Sequence, residues 1–170
     1  MKTKTINLYS FDELSKEAQE KARVEYNTSK DQDNYLLTEF LEERLQDLLK
    51  ENKIKSDNVK IMYSLSYCQG DGVMFSGNFN WGTWKVDIKH SGHYYHSNSK
   101  DIEMYQVDDE SIYPEQHTLD KFEKIYQSIC KELEKYGYDI IETEDSMENF
   151  KENCEANDFL FTIDGVKTEL

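Results

Sequence analysis

The sequence predicts an α+β protein: an antiparallel β-meander of about five strands, with N-terminal and C-terminal helices packed on one face. Three observations lead there. Leu37, Phe40, Leu41, Leu45, Leu48 and Leu49 recur at helical spacing. From Val59 the apolar period changes to two and holds, broken by turns, as far as Val107. Beyond the single proline, Pro114, the helical period returns. A chain of 170 residues suits one domain. Its parts read as a helical segment 1–57, a meander 58–107 and an acidic helical segment 118–170.

The elements follow in order. Thr3–Tyr9 alternates as a short strand. Ser10 with Glu13 makes a capping box, and Ser15 is a second candidate cap. They introduce a helix over Lys16–Tyr26 with Ala18, Ala22 and Tyr26 inward, ended by the polar stretch Asn27–Asn34. The next helix covers Asn34–Glu51. Val59–Cys68 sets Ile61, Tyr63, Leu65 and Tyr67 in one phase, with Met62, Ser64, Ser66 and Cys68 in the other. Gln69-Gly70-Asp71-Gly72 supplies turn chemistry. Val73–Phe79 then returns, with Val73, Phe75 and Phe79 opposite Met74, Ser76 and Asn78. After Asn80–Thr83, the residues Trp84, Val86 and Ile88 face one way.

Ser91-Gly92 reads as a two-residue hairpin loop. It would set His90 opposite His93, Lys89 opposite Tyr94, Ile88 opposite Tyr95 and Asp87 opposite His96. Asp101–Val107 is the fifth strand. The wet face of this sheet carries Ser64, Ser66, Ser76, Asn78, Lys85, Asp87, Lys89, Tyr94 and His96. Past the linker Asp108–His117, Thr118 caps a helix to about Tyr136. Phe122, Ile125, Ile129 and Leu133 face inward, and Gly137 is its stop. Tyr138–Ile141 reads as extended. Asp145 with Glu148 makes a capping box for a last helix to about Asn157, with Met147, Phe150 and Cys154 as its apolar stripe. Phe159–Ile163 is a final strand that could pair with the N-terminal one.

Charge is the other organising feature. The chain holds 35 acids against 20 Lys and Arg, a net charge of −15. Residues 1–100 contribute only −1, and residues 101–170 contribute −14. This acidity excludes a general nucleic-acid binder, which needs clustered cations against phosphate. No apolar run is long enough to span a membrane, and the N-terminus lacks the apolar core of a signal peptide. Three cysteines, an odd number without a Cys-x-x-Cys, suit reduced thiols in a cytoplasm.

Two places could carry chemistry. His90, His93 and His96 are spaced three apart, but a strand turns His93 and His96 to opposite faces. Three imidazoles so spread are more often structural than a metal site, and neither a metal nor a cofactor is expected. On the wet face, His96 beside Asp87, with Lys89 and His93 near, could serve a small ribonuclease or guide-RNA-processing factor. The alternative is a plain cross-strand His–Asp pair. No Gly-x-Ser-x-Gly or His-Glu-x-x-His occurs. The second place is acidic. Asp145, Glu148, Glu152 and Glu155 recur every three or four residues, one stripe of the proposed last helix. Glu142 and Glu144 lie on its approach. Such a stripe could enter a basic nucleic-acid groove on a partner, or be a solvated face.

Phe11–Ala22, the Tyr63-Ser-Leu-Ser-Tyr-Cys-Gln-Gly-Asp-Gly72 segment, His90-Ser-Gly-His-Tyr-Tyr-His-Ser97 and the closing Glu155–Gly165 resemble small proteins of phages and prophages. Some mobile-element proteins of this size and acidity are anti-CRISPR inhibitors. The resemblance implies a mobile-element origin and an anti-defence role in the host cytoplasm. Its partner would be a host CRISPR nuclease or its guide-RNA complex, with local RNA contact open to the sheet and no membrane involved. It carries over no catalytic residues.

Overall fold

The computed structural model describes residues 6–29 and 35–168. The helices are α1 (Lys16–Ser29), α2 (Tyr35–Glu51), α3 (Gln116–Glu144) and α4 (Met147–Ala156). The strands are β1 (Ile54–Ser64), β2 (Gly72–Trp81), β3 (Trp84–His90), β4 (Lys100–Gln106), β5 (Leu160–Phe161) and β6 (Lys167–Thr168). Contacts divide the chain into two compact units, 34–139 and 1–33 with 140–170.

The unit 34–139 is built on a four-strand antiparallel meander in the order β1-β2-β3-β4. Period-two alternation turns Ile61, Val73, Phe75, Phe79, Val86, Ile88 and Met104 to one face, where all are buried. α2 buries Leu37, Leu41, Leu45, Leu48 and Leu49, while Phe40 stays partly exposed at the edge of the stripe. α3 buries Phe122, Tyr126, Ile129, Cys130 and Leu133. The Tyr126 hydroxyl donates to the Phe75 carbonyl at 3.0 Å and accepts from the Phe75 N–H at 3.4 Å. That pairing lets a phenol sit at zero exposure without an orphaned polar atom.

Three expectations are corrected here. The meander has four strands, not five. Residues 93–96 are not extended; 91–99 form one long loop closed by Ser91 N–H to Ser99 O and Ser99 N–H to His96 O. β3 therefore pairs directly with β4, setting His90 opposite Lys100, Lys89 opposite Asp101, Ile88 opposite Ile102 and Asp87 opposite Glu103. The first strand ends at Ser64, because Leu65–Asp71 folds back into a loop. Gly137 does not stop α3, which runs on through Tyr138–Ile141 to Glu144. A Cβ at Gly137 would run into Leu65 Cδ1 and touch Leu41. The glycine permits close packing of the helix and is not a cap.

In the unit 1–33 with 140–170, Ser10 and Glu13 do make a box. The Ser10 N–H donates to Glu13 Oε2 at 2.8 Å. It secures a single tight turn, Phe11–Glu13. Ser15 caps α1, accepting from Ala18 N–H at 3.3 Å. α4 is capped by Ser146, which accepts from Asn149 N–H at 3.1 Å, and not by Asp145. Phe11, Leu14, Ala18, Ala22, Phe150, Cys154 and Phe161 form the core of this unit. The expected pairing of terminal strands reduces to one bridge. Tyr9 and Phe161 exchange two backbone hydrogen bonds of 2.9 Å. β5 otherwise pairs with β6 in a small hairpin. The start of the expected strand, residues 3–5, and residues 30–34 of the expected break after α1 lie outside the described residues. Among the described residues no helix is long and apolar enough to cross a membrane.

Candidate functional site

The His–Asp–Lys constellation is not assembled. It needed Asp87 opposite His96, and the register places Glu103 there. Asp87 is instead held by Asn78 Nδ2 at 2.6 Å and by the Tyr105 hydroxyl at 3.1 Å. Lys89 pairs with Glu103 at 3.2 Å. His96 turns back into its own loop: its Nδ1 accepts from the Asn98 N–H and lies 3.2 Å from Ser99 Oγ. His93 is exposed, and His90 Nε2 lies 3.1 Å from the Tyr94 carbonyl. Among the described residues no group of three His, Cys, Asp or Glu side chains is placed to hold a metal ion.

The tertiary structure instead joins two loops that the sequence places 20 residues apart. Asp71 organises the first, residues 65–71. Its Oδ2 accepts from Ser66 N–H (2.7 Å), Cys68 N–H (3.0 Å) and the Tyr138 hydroxyl (2.7 Å). Its Oδ1 accepts from Ser64 Oγ (3.0 Å) and the Cys68 thiol (3.2 Å). Burial alone would raise the pKa of this carboxyl. The bonds from the Cys68 N–H, Tyr138, the Cys68 thiol and the Ser66 N–H outweigh it and hold Asp71 well below the usual carboxylate range. Burial, then the bond to Asp71, pushes the Tyr138 phenol up to about 12.

The second loop, 91–99, lies directly on the first. A Cβ on Gly70, whose φ is +98°, would come within 2.6 Å of the Tyr94 ring. A Cβ on Gly72 would come within 2.9 Å of His96 Cα. Gly72 and Met74 share a sheet face, and Met74 is fully buried on the side expected to be wet. Tyr67, Tyr94 and Tyr95 remain 64%, 56% and 37% exposed above it. Sequence reasoning named the glycines as turn residues and missed Asp71 and Tyr138. The available signal was an Asp between two glycines, with Ser64, Ser66 and Cys68 just before it as donors.

The acidic residues fall as follows. Glu148, Glu152 and Glu155 lie on α4 and are exposed. Helix geometry spaces them by about 6 and about 4.5 Å along its axis. Glu142 and Glu144 close α3, also exposed. Asp145 lies between the helices and so is not on the α4 stripe; its backbone carbonyl accepts from Arg23 Nη1 at 2.7 Å. Lys151 bridges Asp12 (2.8 Å) and Glu155 (3.7 Å). The carboxylates of Glu142, Glu144, Glu148 and Glu152 make no ion pair or hydrogen bond among the described residues.

Fold and surface together define an α+β protein with a four-strand meander, a two-loop aromatic end and an exposed acidic helix. No protein-family model, no curated protein and no solved structure matches the chain.

Proposed function

We propose that this protein is a phage or mobile-element anti-defence factor, an anti-CRISPR inhibitor that occupies basic surface on a host guide-RNA-directed nuclease. The observation that carries the reading is the set of exposed carboxylates at the end of α3 and along α4: Glu142, Glu144, Glu148 and Glu152 are unpaired among the described residues, and Glu155 meets Lys151 only at 3.7 Å. Like charges at helical spacing cost stability and bring no packing in return. A cationic groove that normally follows phosphates would recover that cost on binding. The resemblance to phage proteins supplies the biological setting, the host cytoplasm. The ribonuclease alternative has lost the Asp87–His96 pairing on which its acid–base chemistry stood.

The test is DNA cleavage by a panel of purified guide-RNA-loaded nucleases, with and without the protein. Inhibition of at least one is expected, weakening as salt rises. The triple variant Glu148→Gln, Glu152→Gln, Glu155→Gln should lose most of the inhibition and flatten its salt dependence. Absence of inhibition across the panel, or inhibition indifferent to both changes, would rule the reading out. Cleavage of labelled guide RNA by the protein alone, abolished in His96→Ala, would favour the enzyme instead.

A further inference from the structure

The unit 1–33 with 140–170 holds a cavity of about 350 Å³ at the end of α4. Its apolar wall is Phe11, Cys154, Phe159 and Leu160. Its mouth carries three exposed carboxylates, Asp12, Glu155 and Asp158. Ligand cavities run from about 300 to about 1,000 Å³, so this one suits a single large side chain. Its walls are held by the fold. The Phe11 ring packs edge-on against Phe150 at 5.2 Å and Phe161 at 6.1 Å. Lys151 ties Asp12 to α4 at 2.8 Å. Asp158, with φ +51°, turns the chain after α4, and the Phe159 N–H returns to the Cys154 carbonyl at 3.0 Å.

Charge then selects the occupant. Lys151 is shared between Asp12 and Glu155. The Asp158 carboxylate makes no ion pair or hydrogen bond among the described residues. The mouth therefore keeps a net negative charge, which repels nucleic acid and a second copy of a −15 chain alike. An uncharged apolar compound would fill the wall and leave the carboxylates unanswered. A segment with a large apolar side chain between Lys or Arg residues answers both. Glu155 belongs at once to this mouth and to the α4 stripe. Glu148 lies about 10 Å from it along the helix axis, the reach of about three extended residues.

We propose that this cavity takes a large apolar side chain from a basic segment of the protein partner, whose flanking Lys or Arg residues pair with Asp158 and Glu155. The inference deepens the acidic reading and rests on it for the partner's basic character. An aromatic anchor in a pocket, with charge at the rim, is the arrangement that concentrates binding energy at protein interfaces.

The test titrates two capped synthetic peptides, Lys-Lys-Trp-Lys-Lys and the charge-matched Lys-Lys-Ala-Lys-Lys, into the ¹⁵N-labelled full chain at about 50 mM NaCl, where screening is modest. The tryptophan peptide should bind about tenfold more tightly, as expected for an aromatic anchor. Its amide shifts should centre on Phe11, Cys154, Phe159 and Leu160. Leu160→Trp, which fills the cavity, should abolish the preference and keep the weaker binding of the alanine peptide. Asp158→Asn, which suits a positive φ, should weaken both peptides alike by about two- to threefold, the usual worth of an exposed pair. Circular dichroism and thermal unfolding report folding, and the smaller Leu160→Phe serves where Leu160→Trp does not fold. Equal binding of the two peptides overturns the proposal, whether or not the nuclease panel is inhibited. So does a preference that the filled cavity leaves intact, a set of shifts away from the cavity, or free indole that binds as tightly as the tryptophan peptide. A tryptophan preference in a protein that inhibits no nuclease supports the cavity assignment and removes only the acidic reading.

Discussion

The Tyr138 hydroxyl donates a 2.7 Å hydrogen bond to Asp71 Oδ2, tying α3 to the loop that follows β1. The Tyr67 ring lies 4.8 Å from the Tyr138 ring, so the same helix residue also supports the aromatic tip of that loop. One carboxylate thus fixes the shape of a segment with no regular secondary structure. Buried polar groups in such a cluster hold a unique conformation only when every donor finds its acceptor.

Asp71→Asn should therefore destabilise the protein by about 1–3 kcal/mol, because an amide nitrogen cannot accept from the donors that crowd either oxygen. The sign with pH follows from the lowered folded-state value. An unfolded aspartate takes up its proton near pH 3.9, while the folded one resists protonation to lower pH. The contribution is fully present above the unfolded value and drains away as pH falls through the folded one. Denaturant midpoints for wild type should fall more steeply than those of Asp71→Asn on acidification below about pH 4. Parallel curves would show that Asp71 is not the group concerned.

Cys68 is exposed, yet its bond to Asp71, followed by burial and the nearby charge, holds the thiol protonated beyond its ordinary range. Thiolate is the reactive form. A disulfide reagent at mildly alkaline pH should label one cysteine slowly in the native protein, and several-fold faster in Asp71→Asn. Cys130 and Cys154 are buried, which pushes their thiols up to about 12 and about 11. They should react only on unfolding. Three equally fast thiols would contradict this ordering.

Gly72→Ala tests the seating of the second loop. Its Cβ would meet the His96 backbone, which cannot swing aside as a side-chain tip can. Overpacking of this kind costs about 1–3 kcal/mol. Nuclear magnetic resonance should show shifts concentrated in residues 91–99 and around Met74, with β3 and β4 little affected. Unchanged spectra in that loop would mean that it does not rest on Gly72.

Ser146→Ala should lower stability by about 1 kcal/mol, the usual worth of an N-cap hydroxyl. Asp145→Ala should cost much less, since its backbone carbonyl rather than its side chain makes the bond to Arg23. Thermal melts of the two variants compare the caps directly. A larger loss in Asp145→Ala would restore the carboxylate as the cap.

Local pattern and tertiary structure divided the work differently at each element. Leu41, Leu45 and Leu48 on α2, and Phe75 and Phe79 on β2, were legible because a helix and a strand each impose their own period on apolar residues. Phe150 and Cys154 on α4 were legible for the same reason. Ser10 and Glu13 read correctly as a box but not as to which turn it secured, since local hydrogen bonding cannot say whether a turn continues into a helix. Gly137 misled: the same residue that ends helices also admits close neighbours, and only Leu65 and Leu41 reveal which applies. The exposure of Glu148, Glu152 and Glu155 followed from the α4 pattern, whereas Asp145 left the stripe when Ser146 took the cap.

By itself, the amino-acid sequence determined the α+β class, the meander's alternation, the helix faces and the concentration of charge after residue 100. These follow from periodicity and composition, which act over a few neighbouring residues. Only the tertiary structure decided that His90 opposes Lys100, that His96 leaves Asp87 for its own loop, and that Asp71 gathers Tyr138 from 67 residues away. A hairpin register depends on where the loop closes, and one long loop in place of a two-residue turn changes every partner along the strand. The site with the densest hydrogen bonding was therefore the least legible, because its donors come from β1, a loop and a distant helix that share no local pattern.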